Sequence, residues 1–422
     1  MIYLNFKVKI ALLLFFISGS LLMSCNKGVQ QFTDPATAPS TGLALGETIA
    51  ATPTDSLYYK LILKSGMLVT INNTAANYTM FVPDNNGMKI FVNAISGGAV
   101  PLTAPDAVFA GFITANIPAA SAAGIVSYNI IGTKITSGQI PATFPNFQLP
   151  TSIILPQPPP ANPLVRLTTF PSAKKQLAYV NNIPVISIDQ MASNGVIHHT
   201  YTVVAPPTTV LAGLIYNNPD LSYFTAAIAR GDSGQTGLAR FDSLLKYGVT
   251  NMTVLAPNNT AFKTLIYGLS YAYATSLGAP PAVADAQANG AVALGPGIFS
   301  NPAFYGILPA VRVRGIMAYH FLASNKSGAY QPDIRVFSVN FNATPSFIPT
   351  LVNAAVPVSM QPGVLAKATF IGPVVGTLTF TGAGTFPSGG APYSGTAANA
   401  TKLDGHAVNG VVYTIDAVLL PQ

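Results

Sequence analysis

Two stretches of the chain share one pattern of apolar and polar positions: a short apolar run, a proline, a polar pair and a helix-like restart. They read NYTMFVPDNNGM at residues 77–88 and NMTVLAPNNTAF at residues 251–262. Because a residue before proline prefers extended geometry, each apolar run is predicted as a buried strand that ends at the proline. In the second stretch, Asn258 or Asn259 is then expected to cap a short helix. The pattern therefore predicts the same strand-to-helix corner twice.

Three further stretches recur in the same order along the chain. The matching pairs are 55–66 with 220–231, 124–131 with 315–322, and 194–206 with 409–421. In the first pair an Asp begins and a Gly ends each stretch, which predicts an N-capped helix of about three turns with glycine just past its end. In the second pair Tyr128 aligns with Tyr319, and Asn129 with His320. Four motifs repeated in one order indicate two tandem homologous domains.

These motifs together resemble the fasciclin domain, which combines a strand–Pro–Asn/Asp–helix corner, a central tyrosine–histidine motif and a closing strand of the type NGVIH. The second copy keeps the corner best, over Thr253–Phe262, and has Tyr319–His320. The first copy has Gly87–Met88 where the family has Ala–Phe, and Asn129 where it has His. The resemblance implies an α+β fold: two tandem fasciclin-like β-sandwich (wedge) domains with small packed helices. It also implies adhesion or extracellular-matrix contact without catalysis.

The N-terminus has the pattern of a bacterial lipoprotein signal peptide. Lys7 and Lys9 precede the apolar run Ile10–Ile17, which is too short to span a bilayer. The stretch LLMSC follows, and its Cys25 is the only cysteine of the chain. A small residue before a lone Cys resembles a lipobox, whose acylated Cys anchors the protein; the alternative is an ordinary secreted protein. We therefore expect a lipid-anchored protein of the bacterial cell envelope, in the outer membrane and exposed at the surface, with the anchor as its membrane contact.

The order of the motifs also predicts the domain boundaries. The proline-rich run 156–163 has the composition of a linker, but the closing strand of the first copy follows it, so we expect a loop inside the first domain. The second copy is longer because of two insertions, at about 268–305 and within 325–400, which we expect to be loops. The predicted segments are a lipoprotein signal peptide at 1–24, a lipidated Cys and flexible tether at 25–43, domain 1 at 44–207 and domain 2 at 208–422.

Charged residues make up only 8% of the chain, and the net charge of +7 comes from scattered Lys and Arg residues. Because no basic run is interleaved with aromatic residues, nucleic-acid binding has no support. Four histidines, the single Glu47 and an acylated cysteine leave little material for a catalytic site, so we expect no enzyme, no cofactor and no metal. His198 and His199 are neighbours on a predicted strand and point to opposite faces, so they cannot hold one metal ion together. His198 aligns with Tyr413, which favours a packing role.

A partner is predicted to bind domain 2. In animal fasciclin proteins the tyrosine–histidine motif is linked to integrin contact; the alternative here is a buried histidine that stabilises the fold, which Asn129 in the first copy supports. The insertion within 325–400 holds several phenylalanines and almost no charge, and a loop-rich segment is not expected to bury them all. The candidate binding residues are Tyr319, His320, Phe337, Phe341 and Phe347. We expect an extracellular protein or glycan ligand, with a glycan-capture lipoprotein of an outer-membrane nutrient-uptake system as the alternative function.

Two short motifs suggest modification or recognition. The tripeptide DSL at 55–57 and 242–244 resembles an acceptor of bacterial O-glycosylation, which makes Ser56 and Ser243 candidate sites. Helix capping by Asp55 accounts for the first instance equally well. Residues 230–232 form the integrin-binding sequence Arg-Gly-Asp. The predicted helix end already accounts for Arg230 and Gly231, so only Asp232 would have to be present by chance.

Overall fold

The structure is a computed structural model that describes residues 42–142, 146–155, 165–174, 176–326, 328–387, 392–394 and 397–421. The predicted signal peptide, Cys25, almost all of the predicted tether and the proline-rich run 156–163 lie outside the described residues. Residues Leu43–Gln422 form one compact unit, which contains both predicted domains. We use domain 1 and domain 2 for the segments 44–207 and 208–422.

Helices and strands follow one another in the same order in both domains. The α-helices are α1 Leu45–Ala51, α2 Ser56–Ser65, α3 Leu68–Ile71, α4 Asn85–Ile95, α5 Asp106–Asn116, α6 Ala119–Tyr128, α7 Leu211–Tyr216, α8 Ser222–Gly231, α9 Phe241–Lys246, α10 Asn259–Ser276, α11 Pro281–Ala293 and α12 Ala310–Tyr319. Within the described ranges no single helix is long and apolar enough to cross a membrane. Among the described helices, only α5 and α6 counted together have the length and composition of a membrane span, and the chain bends by 110° between them.

Each domain is built on its own large sheet. The strands are β1 Tyr78–Pro83, β2 Ile130–Ile131, β3 Leu149–Ile154, β4 Arg166–Thr169, β5 Pro171–Lys174, β6 Leu177–Val180, β7 Ile183–Ala192, β8 Gly195–Thr200, β9 Met252–Pro257, β10 Ser324–Lys326, β11 Ala329–Gln331, β12 Ser346–Ile348, β13 Val364–Ile371, β14 Val374–Thr381, β15 Thr385–Pro387, β16 Pro392–Ser394, β17 Ala397–Ala407 and β18 Gly410–Ile415. The sheet of domain 1 has the order β4-β3-β2-β1-β8-β7-β6-β5, and that of domain 2 has β12-β13-β14-β17-β18-β9. The predicted α+β fold with two tandem domains is therefore confirmed.

The corner strand and the closing strand of each domain lie side by side in parallel. β1 pairs with β8 so that Phe81 is opposite His198, and β9 pairs with β18 so that Leu255 is opposite Tyr413. The predicted equivalence of His198 and Tyr413 is therefore confirmed. His198 is buried and stacks on Phe81 at 5.8 Å between ring centroids, whereas the ring of its neighbour His199 contacts Asp55 instead.

The strand-to-helix corner is capped as the sequence predicts. In domain 2 the side chain of Asn258 accepts a hydrogen bond from Ala261 N at 2.8 Å, and in domain 1 Asp84 accepts one from Gly87 N at 2.7 Å. Of the two predicted caps in domain 2, Asn258 is the correct one. Its neighbour Asn259 instead accepts a bond from the backbone N–H of Tyr223 at 3.1 Å, which ties the corner to the start of α8.

The predicted alignment of α2 with α8 is wrong by one residue. Asn85 accepts from Leu57 N in domain 1 as Asn259 accepts from Tyr223 N in domain 2, so Leu57 and Tyr223 are equivalent. A turn that begins with proline precedes both helices, Pro53–Asp55 and Pro219–Leu221, and sets the same register. Asp55 therefore aligns with the buried Leu221, and it makes no capping bond of its own.

The two terminal glycines of these helices have different functions. Gly66 follows α2 with φ +70°, the left-handed conformation expected of a residue just past a helix end. Gly231 is instead the last residue of α8, and a Cβ there would lie 3.1 Å from the Cα of Arg314. It allows α8 to approach α12 closely, so the prediction of a left-handed stop at Gly231 is wrong.

The first insertion is helical, not a loop. Helix α10 continues through 18 residues to Ser276, and α11 packs against it with Ala284, Ala288 and Ala291 buried. Alanine is the strongest helix former, and its small side chain lets two helices lie close together. The Ala/Gly-rich composition that suggests a loop therefore forms a helix pair.

We predict that Phe262→Ala lowers the free energy of unfolding by about 3–5 kcal/mol, as for a truncated core aromatic. Phe262 is 1% exposed and contacts the rings of Tyr223, Phe224 and Phe299. Urea unfolding measures the change, and Phe347→Ala is the matched control because Phe347 is 55% exposed. A loss below about 1 kcal/mol for Phe262→Ala would contradict the packing described here.

Candidate functional site

The structure buries four of the five candidate binding residues. Tyr319, His320 and Phe337 are 0% exposed and Phe341 is 3% exposed, whereas Phe347 is 55% exposed. A buried side chain cannot contact a partner at the surface, so the expectation for these four residues is corrected. They fill the core because the insertion that holds the phenylalanines continues the sheet of domain 2 through β12, β13 and β14 and covers them.

His320 has the structural function that the sequence analysis kept as its alternative. Its Nδ1 is 2.8 Å from Ile316 O, and its Nε2 accepts a hydrogen bond from Leu419 N at 3.0 Å. Asn129 connects the equivalent segments of domain 1, although there its Nδ2 donates both bonds, to Ile125 O and to Val204 O. Burial lowers the pKa of His320 to about 4, so the ring is neutral at physiological pH.

The Arg-Gly-Asp sequence is not presented to a partner. Asp232 is 5% exposed, and its two carboxylate oxygens accept bonds from Phe241 N at 2.8 Å and Asp242 N at 2.9 Å. Arg230 donates from Nε to a backbone carbonyl, and its guanidinium lies over the ring of Tyr305. The tripeptide joins the end of α8 to α9, which is a structural function.

The two DSL serines differ in accessibility. Ser56 is exposed at the start of α2, where its Oγ accepts a bond from Asn85 Nδ2 at 3.0 Å, and Ser243 is half-buried in α9. The preceding Asp55 is buried, with one carboxylate oxygen 3.0 Å from His199 Nε2. O-glycosylation at Ser56 and Ser243 stays a prediction.

A cleft opens where the β5–β6 hairpin of domain 1 meets β12 and the β13–β14 hairpin of domain 2. Its volume is about 960 Å³, and it is lined by Lys174, Gln176, Leu177, Tyr179, residues 342–346, Phe370 and Gly372. The β13–β14 hairpin turns at Gly372, whose φ of +60° is the left-handed conformation that a type II′ turn needs at its first central residue. Three large apolar side chains lie in or beside the lining segments: Leu177 (41% exposed), Phe347 (55%) and Ile371 (72%).

The walls of the cleft hold the two domains together. Lys174 Nζ lies 4.2 Å from the ring centroid of Phe370, and it donates hydrogen bonds to the carbonyl oxygens of Val339 and Phe341. Tyr179 is buried, and its hydroxyl donates to Pro373 O at 2.9 Å. Burial raises the pKa of that hydroxyl. These contacts fix the two walls relative to each other, so the cleft has a defined shape.

The chemistry of the cleft is that of a contact surface. In the described part of the chain its lining combines one lysine with amides, hydroxyls and apolar groups, and it includes no acid and no histidine. Imidazole and carboxylate groups, the commonest general acids and bases, are thus absent from the described lining. Among the residues that the structure describes, no group of three or more His, Cys, Asp and Glu residues could hold a metal ion.

The sequence predicts Phe347, which directly follows the lining residues 342–346, as a binding residue. It gives no prediction for the domain 1 side of this cleft. Lys174, Leu177 and Tyr179 come from a hairpin that lies about 170 residues before its partners in domain 2. No motif connects the two segments, so only the paired domains bring them together. Two adjacent lysines in a nearly uncharged sequence, Lys174 and Lys175, are a local signal in this part of the chain.

We predict that His320→Asn makes the stability of the protein less sensitive to acid. A histidine has a pKa of about 6.5 in the unfolded chain, but burial lowers that of folded His320 to about 4. Between pH 6.5 and pH 4 the unfolded state binds more protons at His320 than the folded state does. The stability that the neutral ring contributes is therefore fully present above about pH 6.5, and it is lost as the pH falls to about 4. The full effect is about 3 kcal/mol.

Melting temperatures at several pH values measure this dependence. The buried His406 has its pKa lowered in the same direction and is still present in the variant, so the comparison isolates His320. Equal losses of stability on acidification in both proteins would contradict the prediction.

Comparison with known proteins identifies the family of domain 1. Residues 55–206, from the turn before α2 to just past β8, match the fasciclin domain family. No curated protein matches the chain by sequence. A solved structure of a domain pair from the insect cell adhesion molecule fasciclin I is similar at 13% identity over 87% of this chain and 97% of that chain, but its TM-score of 0.31 is too low to support an argument. The chain therefore contains a fasciclin domain over residues 55–206, and domain 2 repeats the same corner and closing-strand pairing.

Proposed function

We propose that this protein is a non-catalytic adhesion module anchored in the bacterial cell envelope, and that it binds an extracellular protein at the cleft between its domains. Fasciclin domains are commonly adhesion modules and are generally not enzymes. The observation that carries the proposal is the cleft of about 960 Å³ beside the exposed Leu177, Phe347 and Ile371. Exposed apolar side chains around a concave surface are typical of protein contact sites.

The low charge of the protein supports contact at this position. Only 8% of all residues are charged, and among the described residues Lys174 is the one charged residue that lines the cleft. A partner therefore meets little electrostatic repulsion and has few charges to desolvate. Because both domains form the walls, recognition requires the pair and not domain 2 alone, which extends the expectation from the sequence.

The aromatic rings in the lining of the cleft are covered or buried, which favours protein contact over glycan capture. Sugar-binding sites usually offer an open aromatic face for stacking. Here Lys174 covers the ring of Phe370, and Tyr179 is buried with its hydroxyl bonded to the opposite domain. The chain also has no Trp. Neither aromatic ring in the lining is therefore well placed to stack on a sugar.

The histidines support binding without turnover. His198 and His320 are both buried, and both ring nitrogens of each lie within hydrogen-bond distance of backbone atoms. They hold the closing strand and the central motif in place. None of the four histidines lines the cleft, so a proton-transfer step there has no histidine to carry it.

We predict that Ile371→Asp and Phe347→Asp each reduce attachment of cells that display the protein by about tenfold or more, because a buried contact would receive an unpaired charge. Attachment is measured on surfaces coated with collagen or fibronectin. Leu277→Asp is the matched control, since Leu277 is 70% exposed on domain 2 but lies neither in the segments that line the cleft nor next to them in the chain. Phe347 and Ile371, by contrast, each directly follow a lining residue. Unchanged folding of the variants is checked by melting temperature.

Two results would contradict this assignment. One is equal attachment of the cleft variants and the Leu277→Asp control. The other is selective binding to a glycan array that Ile371→Asp abolishes, which would favour the glycan-capture function at the same cleft.

The proposed anchor is tested by Cys25→Ser. Acylation requires the thiol, so the variant is expected to lose acyl labelling and to leave the membrane fraction. Ser24→Ala is the matched control because it keeps a small residue before the cysteine. Retention of Cys25→Ser in washed membranes at the control level would contradict the lipoprotein proposal.

A further inference from the structure

A second, smaller cavity lies between the domains, on the side of β3 and β4. Its volume is about 300 Å³, close to that of about ten water molecules. Domain 1 contributes Gln148, Arg166 and Thr168 to its lining, and domain 2 contributes Thr250, Asn251 and Arg335. Two guanidinium groups thus line one small space. None of the described residues that line it is acidic.

Arg335 is a buried cation without a carboxylate partner. It is 2% exposed, and within the described part of the chain no carboxylate oxygen lies within 4.0 Å of its nitrogens. Its guanidinium donates instead to four neutral acceptors: Asn251 Oδ1 at 2.8 Å, Val408 O at 2.9 Å, His406 Nε2 at 3.2 Å and Ala407 O at 3.3 Å. A buried charge normally costs several kcal/mol unless an opposite charge compensates it.

Arg335 stays charged under physiological conditions. Burial lowers its pKa to about 10, which is still well above neutral pH. The adjacent His406 cannot share the charge, because burial and the arginine itself lower the pKa of that ring well below its usual value. The positive charge is therefore localised at the wall of the cavity, beside the ring of Phe170 at 4.9 Å.

The fold does not require a buried arginine at this position. In domain 2 the hydroxyl of Thr253 bonds Ile334 O and Val336 N on either side of Arg335. In domain 1 the hydroxyl of Thr79 bonds Thr133 O and Ile135 N in the same way, so the equivalent residue is the partly exposed Lys134. The burial of Arg335 thus belongs to the domain pair and needs an explanation of its own.

We propose that this cavity binds a small oxyanion, namely a carboxylate, sulfate or phosphate group, between Arg335 and Arg166. A guanidinium forms strong charge-assisted hydrogen bonds to such groups, and Arg335 has one N–H group left for an anion. Arg335 has five N–H groups for the four acceptors named above, and Arg166 is exposed at the surface, where it donates to Ser152 O at 2.8 Å. Thr168, Thr250 and Gln148 supply polar atoms around the charge. The site is separate from the proposed adhesion cleft and does not depend on it.

The experiment is calorimetric titration of the mature chain with phosphate, sulfate and glucuronate at constant ionic strength. Phosphate and sulfate represent free ions, and glucuronate represents the carboxylate of an acidic sugar; glucose is the neutral control. We expect one of the three anions to bind with one site per chain and glucose not to bind. The anion that binds most tightly identifies the source of the oxyanion.

Arg166→Gln tests the site without removing a buried residue. We expect it to weaken binding by about tenfold or more, the effect of one lost charge-assisted hydrogen bond. Arg312→Gln is the matched control: Arg312 is also exposed and also bonds one backbone carbonyl, but it does not line the cavity. Arg335→Lys keeps the charge but loses the planar fork, and it is expected to weaken binding in the same direction.

Two outcomes would overturn the proposal. One is the absence of binding by all three anions at concentrations of about 10 mM, which corresponds to less than about 3 kcal/mol of binding free energy. The other is an equal loss of binding in Arg166→Gln and Arg312→Gln, which would mean that the anions respond only to net charge.

Discussion

Buried amide side chains connect the helices of each domain to its parallel strand pair. Asn409, at the start of the closing strand of domain 2, accepts a bond from Leu211 N at 2.7 Å and donates to Leu245 O at 2.9 Å. Asn194 does the same in domain 1, where it accepts from Leu45 N at 2.8 Å and donates to Ile71 O at 2.7 Å. These backbone groups belong to helix ends and loops, so without the amide they would be buried and unpaired, at a cost of about 1–3 kcal/mol each. Because the chain has few charges, hydrogen bonds between neutral amide side chains and the backbone hold its helices against its strands.

Because polar side chains of the repeated motifs are buried in such internal hydrogen bonds, these motifs carry no candidate binding residue. The side chains of His320 and of Asn129, at equivalent positions, are buried and bond backbone groups of their own domain. New surfaces arise where the two copies differ or meet. The larger cleft and the arginine cavity both lie at the junction, and each draws residues from both domains.

One bulge shows how a repeated element became part of the domain junction. Asp189 in β7 and Asp404 in β17 both have left-handed backbones, with φ of 60° and 53°, and both accept a bond from the N–H of a serine. In domain 2 the carboxylate of Asp404 also receives a bond from Asn182 of domain 1 at 3.2 Å. Burial raises the pKa of Asp404, whereas hydrogen bonds from Ser137 help to keep that of Asp189 low. The same motif thus faces solvent in one domain and the partner domain in the other.

The sequence by itself determined the features that depend on nearby residues. Proline, capping side chains and alternating apolar positions act over a few residues, so the corner motif, a cap at Asn258 or Asn259 and the match of His198 with Tyr413 were predictable. Only the tertiary structure decided which phenylalanines are buried: Phe337 and Phe341 lie in the core, whereas Phe347 is exposed on the edge strand β12. It also decided the register of α2 against α8 and brought Lys174 to the wall of domain 2. The physical reason is that burial and long-range hydrogen bonds depend on which distant segments pack together, and no local pattern encodes that choice.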